Sequence, residues 1–68
     1  MAILYGKEGC ELCEELEAIL LFNNIEYHKI TDISVCRSMG ITRYPVLEVD
    51  GSLMDFMMAN IWIEENAD

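Results

Sequence analysis

Cys10 and Cys13 stand three positions apart in "KEGCELCEELEAIL", residues 7–20, and run directly into a cluster of carboxylates and a helical pattern. Two thiols at this spacing can exchange with a disulfide, one attacking as thiolate and the other resolving. They can also supply half of a metal site, or be inert. Cys10 follows a short apolar run and a glycine-containing loop, and the helix begins at or just after it. Its sulfur is thereby expected at a helix N-terminus, where unpaired N–H groups and the positive end of the dipole stabilise a thiolate. Cys13 lies one turn in, so the two sulfurs can join without unfolding the helix. A closed zinc site wants four ligands, and the other candidates, Cys36 and His28, form no second pair. The spacing therefore favours a dithiol redox site.

The elements around the pair follow from pattern. "AILY", Ala2 to Tyr5, is a short apolar run ended by Gly6 and predicts a strand buried on both faces. Leu16, Ile19, Leu20 and Phe22 recur at helical spacing until Asn23 and Asn24 break the pattern. "IEYHKI", Ile25 to Ile30, alternates and is rich in β-formers, so strand, helix and strand make a parallel βαβ unit. Thr31 or Asp32 can cap the short helix "ISVCRSM", which Gly40 ends. "PVLEV" is a strand opened by Pro45, Asp50-Gly51 is a two-residue hairpin signal, and "SLM" is the return strand. Met54, Met58, Ile61 and Trp62 then fall at i, i+4, i+7 and i+8 with Asp55 as a cap, which predicts a closing helix with its core face on those residues.

Composition bounds the partners. The 68 residues allow one small domain with one compact core, and 53% apolar content with few Gly or Pro predicts that it folds. Lys7, Lys29, Arg37 and Arg43 face thirteen acidic residues, for a formal charge of −9. Phosphate contacts need clustered cations, so nucleic acid and anionic membranes are disfavoured as partners; the acidic surface either attracts a protein with a basic patch or serves solubility alone. Three cysteines is an odd count, and two of them lie too close in sequence to staple separate parts of a small scaffold, which argues against a secreted disulfide framework and for a reducing compartment. The opening "MAILYGK" is far short of a signal-peptide core. A cytoplasmic location is expected.

"YGKEGCELC" resembles the active-site loop of glutaredoxins, and the order of elements is similar along nearly the whole chain. The resemblance implies an α/β, thioredoxin-like (glutaredoxin) fold over residues 1–68, βαβ-α-ββα, with a four-stranded mixed sheet flanked by helices. It implies Cys10 as nucleophile and Cys13 as resolver. Lys7 stands where glutaredoxins often carry a lysine that meets a glutathione carboxylate. "TRYPVLEV" is similar to the segment whose cis-proline lies beside the cysteines, which implies a cis Tyr44–Pro45 bond and a Tyr44 backbone free to pair with substrate. The chain also departs from the family: Glu11 and Leu12 replace the usual Pro and Tyr, and "SLMDFMM" lacks the double glycine that cradles the γ-glutamyl end of glutathione, leaving Asp55 alone.

The activity implied is that of a small, monomeric thiol–disulfide oxidoreductase reducing protein or glutathione mixed disulfides, with no bound cofactor or metal and with glutathione as a possible co-substrate. Its expected partners are disulfide-containing proteins such as ribonucleotide reductase, with glutathione or thioredoxin reductase as reductant. The alternative is a non-enzymatic module holding zinc or an iron–sulfur cluster between two chains. Arg43, two before Pro45, can reach a carboxylate of glutathione or of a protein, or remain a solvated loop charge. Cys36 is expected as a small buried apolar residue, and Met54, Met57 and Met58 with Trp62 as core.

Overall fold

A computed structural model describes residues 1–67; Asp68, the last residue of the expected 1–68 domain, lies outside the described residues. The chain runs β1 (Ala2–Tyr5), α1 (Glu11–Phe22), β2 (Tyr27–Ile30), α2 (Ile33–Ser38), β3 (Val46–Val49), β4 (Ser52–Met54) and α3 (Phe56–Asn66). The sheet order is β2-β1-β3-β4. β1 pairs parallel with β2, Tyr5 opposite Ile30, and antiparallel with β3, Tyr5 opposite Val46; β3 and β4 close an antiparallel hairpin. This is the mixed four-stranded α/β arrangement implied by the resemblance.

Alternation along β1 divides the interior in two. Ala2 and Leu4 face the larger cluster with Leu16 and Leu20 of α1, Leu47 of β3, Met54 of β4, and Ala59 and Ile63 of α3. Tyr5 points the other way, into a smaller cluster with Cys36 of α2 and Ile41. Successive side chains of a strand point to opposite faces, so a sheet covered by α1 and α3 on one face and α2 on the other needs β1 apolar at every position. Cys36 is fully buried, as expected for a small apolar residue. Asp50 and Gly51 both take positive φ, 50° and 85°, which is what a tight two-residue turn between β3 and β4 requires.

Three expectations are corrected. The second strand begins at Tyr27 and not at Ile25, because the Ile25 N–H bonds the Leu20 carbonyl at 3.0 Å and Asn24 turns left-handed at φ 56°, which commits Ile25 to the helix-ending turn. Phe22 is 87% exposed: two residues beyond Leu20 places it about 200° around the helix, away from the core. In α3 the buried stripe runs through Ala59 and Ile63, with Phe56 and Trp62 packed against the core, while Met57, Met58 and Ile61 face solvent. Met54 and Trp62 of the expected face lie in or against the core while Met58 and Ile61 do not: apolar residues surround most of that helix, and docking against β3 and β4 turned the buried stripe toward Ala59 and Ile63.

Candidate active site

The β1–α1 connection sets the cysteines. Gly9 takes φ 74°, a left-handed turn open to glycine, and delivers Cys10 as the N-cap of α1 in extended conformation, φ −97° and ψ 108°. The Cys10 sulfur accepts the Cys13 N–H at 3.1 Å. It thus occupies the place a Ser or Asp oxygen takes at other helix starts, satisfying an otherwise free donor. Cys10 and Cys13 form a disulfide with their Cα atoms 5.2 Å apart. Cys13 is buried and Cys10 half-buried, so the first sulfur is the accessible one. Gly6 is a participant that sequence reasoning saw only as a strand end. A Cβ there would lie 3.4 Å from the Cys13 Cβ and 3.5 Å from its Sγ, so the glycine forms the floor under the second cysteine.

The Tyr44–Pro45 bond is cis and Pro45 is buried. Since Tyr5 is opposite Val46, the register puts Pro45 across from Gly6, at the same end of the sheet as the cysteine loop. Lys7 joins the two segments: its ammonium lies over the Tyr44 ring, 5.7 Å from the centroid, in cation–π range. Tyr44 also packs against the Tyr5, Cys36 and Ile41 cluster. Interaction with the Cys36 sulfur is the first cause that raises the Tyr44 hydroxyl above its ordinary value.

Asp55 caps α3, accepting the Met58 N–H at 2.8 Å. α1 and α3 both descend from the C-terminal ends of strands that point the same way, β1 and β4, so Asp55 starts its helix at the cysteine end of the sheet. Arg43 is exposed on the loop before Pro45. The structure therefore gathers Cys10, Cys13, Lys7, Tyr44 and Pro45 at one end of the molecule, with Asp55 at the neighbouring helix start.

Charge around the pair is mostly negative. Glu8, Glu11, Glu14 and Glu15 are exposed in the loop and first turns of α1. A cavity of about 360 Å³ beside Cys13 is lined by Lys7, Glu8, Glu14, Lys29 and Thr31, together with Gly9. Lys29 and Thr31 come to it from β2 and the turn after it, a placement that no local motif announces. Lys29 also bonds Glu17 at 3.0 Å, and the Tyr27 hydroxyl donates to the same carboxylate at 2.6 Å. The Tyr27 bond, then that of Lys29, lowers the Glu17 pKa; burial, followed by the bond to Glu17, pushes the Tyr27 phenol up to about 12. A larger open cavity, about 990 Å³, runs along the β2 edge past Leu21, Tyr27 and His28, but no cysteine borders it. Among the described residues no three His, Cys, Asp or Glu side chains stand together as a metal site requires, and no helix is long and apolar enough to cross a membrane.

A solved structure of the glutaredoxin-like protein NrdH-redoxin from Escherichia coli, described for its thioredoxin-like activity profile, superimposes with a TM-score of 0.75 at 12% identity, over 98% of this chain and 95% of that one. The chain has the glutaredoxin-like form of the thioredoxin fold. No family model and no curated relative matches the sequence. In this glutaredoxin-like fold the disulfide-capable pair sits at the strand-to-helix turn and the cis-proline on the facing loop. Gly6, Gly9, Lys29 and Thr31 complete its surroundings. For Gly9 the signal was available, a glycine immediately before an N-cap; for Lys29 and Thr31 only the β1–β2 pairing could reveal it.

Proposed function

We propose that the protein is a small dithiol oxidoreductase that reduces disulfides of other proteins. The observation that carries this reading is the Cys10 sulfur at the α1 N-cap, accepting a backbone N–H and paired with a buried Cys13 one turn away. In the reduced protein the Cys10 thiolate attacks one sulfur of the substrate disulfide. A mixed disulfide forms and the other substrate sulfur leaves as a thiolate that takes up a proton. Cys13, deprotonated, then attacks the Cys10 sulfur and expels the second substrate thiolate, so two electrons pass to the substrate and the Cys10–Cys13 disulfide remains. The helix N-terminus favours the attacking thiolate. Burial of Cys13 keeps the resolver from competing for substrate.

Glutathione is a weak co-substrate in this reading. Lys7 and the Tyr44 backbone remain to hold its glycine and cysteine portions, with Arg43 a further cation on the same loop. The only acidic side chain at the β4–α3 turn, Asp55, is engaged as a cap, and no glycine there lets the backbone approach the γ-glutamyl end. Losing one charge-assisted contact costs roughly 1.5–3 kcal/mol, about tenfold to a hundredfold in affinity. Thioredoxin reductase is then the favoured reductant, and ribonucleotide reductase a candidate acceptor in the cytoplasm. The likeness to a glutaredoxin-like protein with a thioredoxin-like activity profile supports this branch.

Turnover decides it. Purified protein is supplied either with NADPH and thioredoxin reductase or with NADPH, glutathione and its reductase, against a protein disulfide. Fast turnover with the first and slow turnover with the second is expected, and Lys7→Ala should slow the glutathione branch further. Turnover with neither would refute the oxidoreductase. Metal content of protein purified under reducing conditions separates out the zinc or iron–sulfur module.

A further inference from the structure

The outward seam between α1 and α3 carries a line of exposed apolar side chains that leads to the cysteines. Its lower part is a cavity of about 290 Å³ lined by Ile19 of α1, by Asn23 just beyond it, and by Asn60, Ile61, Ile63 and Glu64 of α3. Helical spacing continues both walls upward. Leu12 lies seven residues before Ile19, and Met57 lies four before Ile61, so each occupies the same stripe of its helix one or two turns nearer the disulfide. Leu12 is 47% exposed, Met57 74% and Ile61 56%. Single exposed apolar residues are ordinary on a small protein. A row of them beside a reactive centre marks an interaction surface.

Charge identifies the occupant. Neither α1 nor α3 contains a Lys or Arg, while Glu11 and Glu15 on one helix and Glu64 and Glu65 on the other flank the seam. A second copy of a chain carrying −9 would be repelled. Nucleic acid and anionic lipid would be repelled too. A cationic polypeptide would be attracted.

We propose that the α1–α3 seam docks a protein substrate through a segment that pairs an apolar anchor with Lys or Arg and presents its disulfide to Cys10. This deepens the oxidoreductase reading and rests on it for the chemistry, whereas the docking itself depends only on the seam. Leu12 and Met57 take the anchor nearest the disulfide, Ile61 takes the next, and the flanking glutamates meet the cations.

The test uses three disulfide-linked peptides on one backbone, with Leu and Arg, Leu and Glu, or Ser and Arg beside the cysteine, and hydroxyethyl disulfide as a small control. The Leu/Arg peptide should be reduced about tenfold faster than the Ser/Arg peptide, as burial of one apolar side chain predicts, and faster than the Leu/Glu peptide by a margin that shrinks with salt. Ile61→Gln, an exposed change compatible with the helix, should bring the Leu/Arg peptide down toward the Ser/Arg rate and leave hydroxyethyl disulfide unaffected. Glu64→Gln should weaken the salt dependence. Equal rates for the three peptides, or an Ile61→Gln variant that keeps the preference, would overturn the proposal. Binding of the Leu/Arg peptide with Ser in place of its Cys, followed through amide shifts in α1 and α3, reads the groove without any redox step. Shifts elsewhere, or none, overturn the docking even if disulfides turn over; seam shifts without any disulfide reduction, hydroxyethyl disulfide included, would sink the oxidoreductase and leave the groove standing.

Discussion

α1 and α3 start at the same end of the sheet, and a different atom meets the free N–H groups of each: the Cys10 sulfur at α1, an Asp55 carboxylate oxygen at α3. α2 resembles α3, since Asp32 accepts the Ser34 and Val35 N–H groups. At α2 and α3 the free donors meet a carboxylate oxygen, which caps the helix but cannot exchange a covalent bond with a sulfur. At α1 the same donors meet a group that can be neutral, anionic or bonded to another sulfur. The helix start then stabilises whichever state has the negative sulfur. The first turns differ as well: Glu11 and Glu14 follow the Cys10 cap, while the first turn of α3 holds no acidic residue. Those glutamates complement the dipole and oppose the thiolate at once.

Making α1 resemble α3 gives the largest expected effect. Cys10→Ser or Cys10→Asp keeps an oxygen cap and should leave the helix content unchanged, yet abolish disulfide reduction. Cys13→Ser should instead accumulate a trapped mixed disulfide, visible by mass spectrometry. Alkylation of the reduced protein that strikes Cys13 before Cys10 would reverse the roles.

Alkaline pH tests whether the caps or the side-chain pairs beside them limit stability. Burial, then the bond to Glu48, raises the Tyr5 phenol to about 12, alongside that of Tyr27. The Tyr5 hydroxyl donates to Glu48 at 2.8 Å. A folded pKa above the unfolded value of 10.0 means that this contribution is fully present below pH 10.0 and is lost as pH rises through about 12. Unfolding should therefore set in over that range, and Tyr5→Phe with Tyr27→Phe should flatten the dependence. At the acid end the lowered Glu17 works oppositely: its contribution is present above the usual carboxylate pKa and is lost as pH falls through the depressed one.

Asp55→Ala removes the carboxylate cap and should cost about 1 kcal/mol in denaturant unfolding, with the small-disulfide rate unchanged. A fall in that rate would mean that Asp55 serves the reaction and not only its helix. The smallest effect is expected from Glu8→Gln with Glu11→Gln. Removing two like charges from beside Cys10 should move its thiolate titration downward and make the disulfide a stronger oxidant. No movement would mean that these glutamates serve the helix and the solvent alone.

The same contrast between local and distant contacts separates what could be read before the fold was known. Strand, glycine loop, cap and helix around Cys10 were legible because each is satisfied within a few residues: a turn needs its glycine, and an N-cap needs an acceptor three residues from its donor. Asp32, Asp55 and the Asp50-Gly51 turn were legible for that reason. The cis Tyr44–Pro45 bond followed from likeness to a family, since spacing alone does not choose an isomer. Lys7 on the Tyr44 ring and Lys29 beside Cys13 join residues far apart in the chain, and only the β2-β1-β3-β4 order brings them together. The working face of α3 belongs with them. An apolar helix in a small protein has more hydrophobic surface than one contact can cover, so the sheet decided that Ala59 and Ile63 went inward and that Met57 and Ile61 stayed in water.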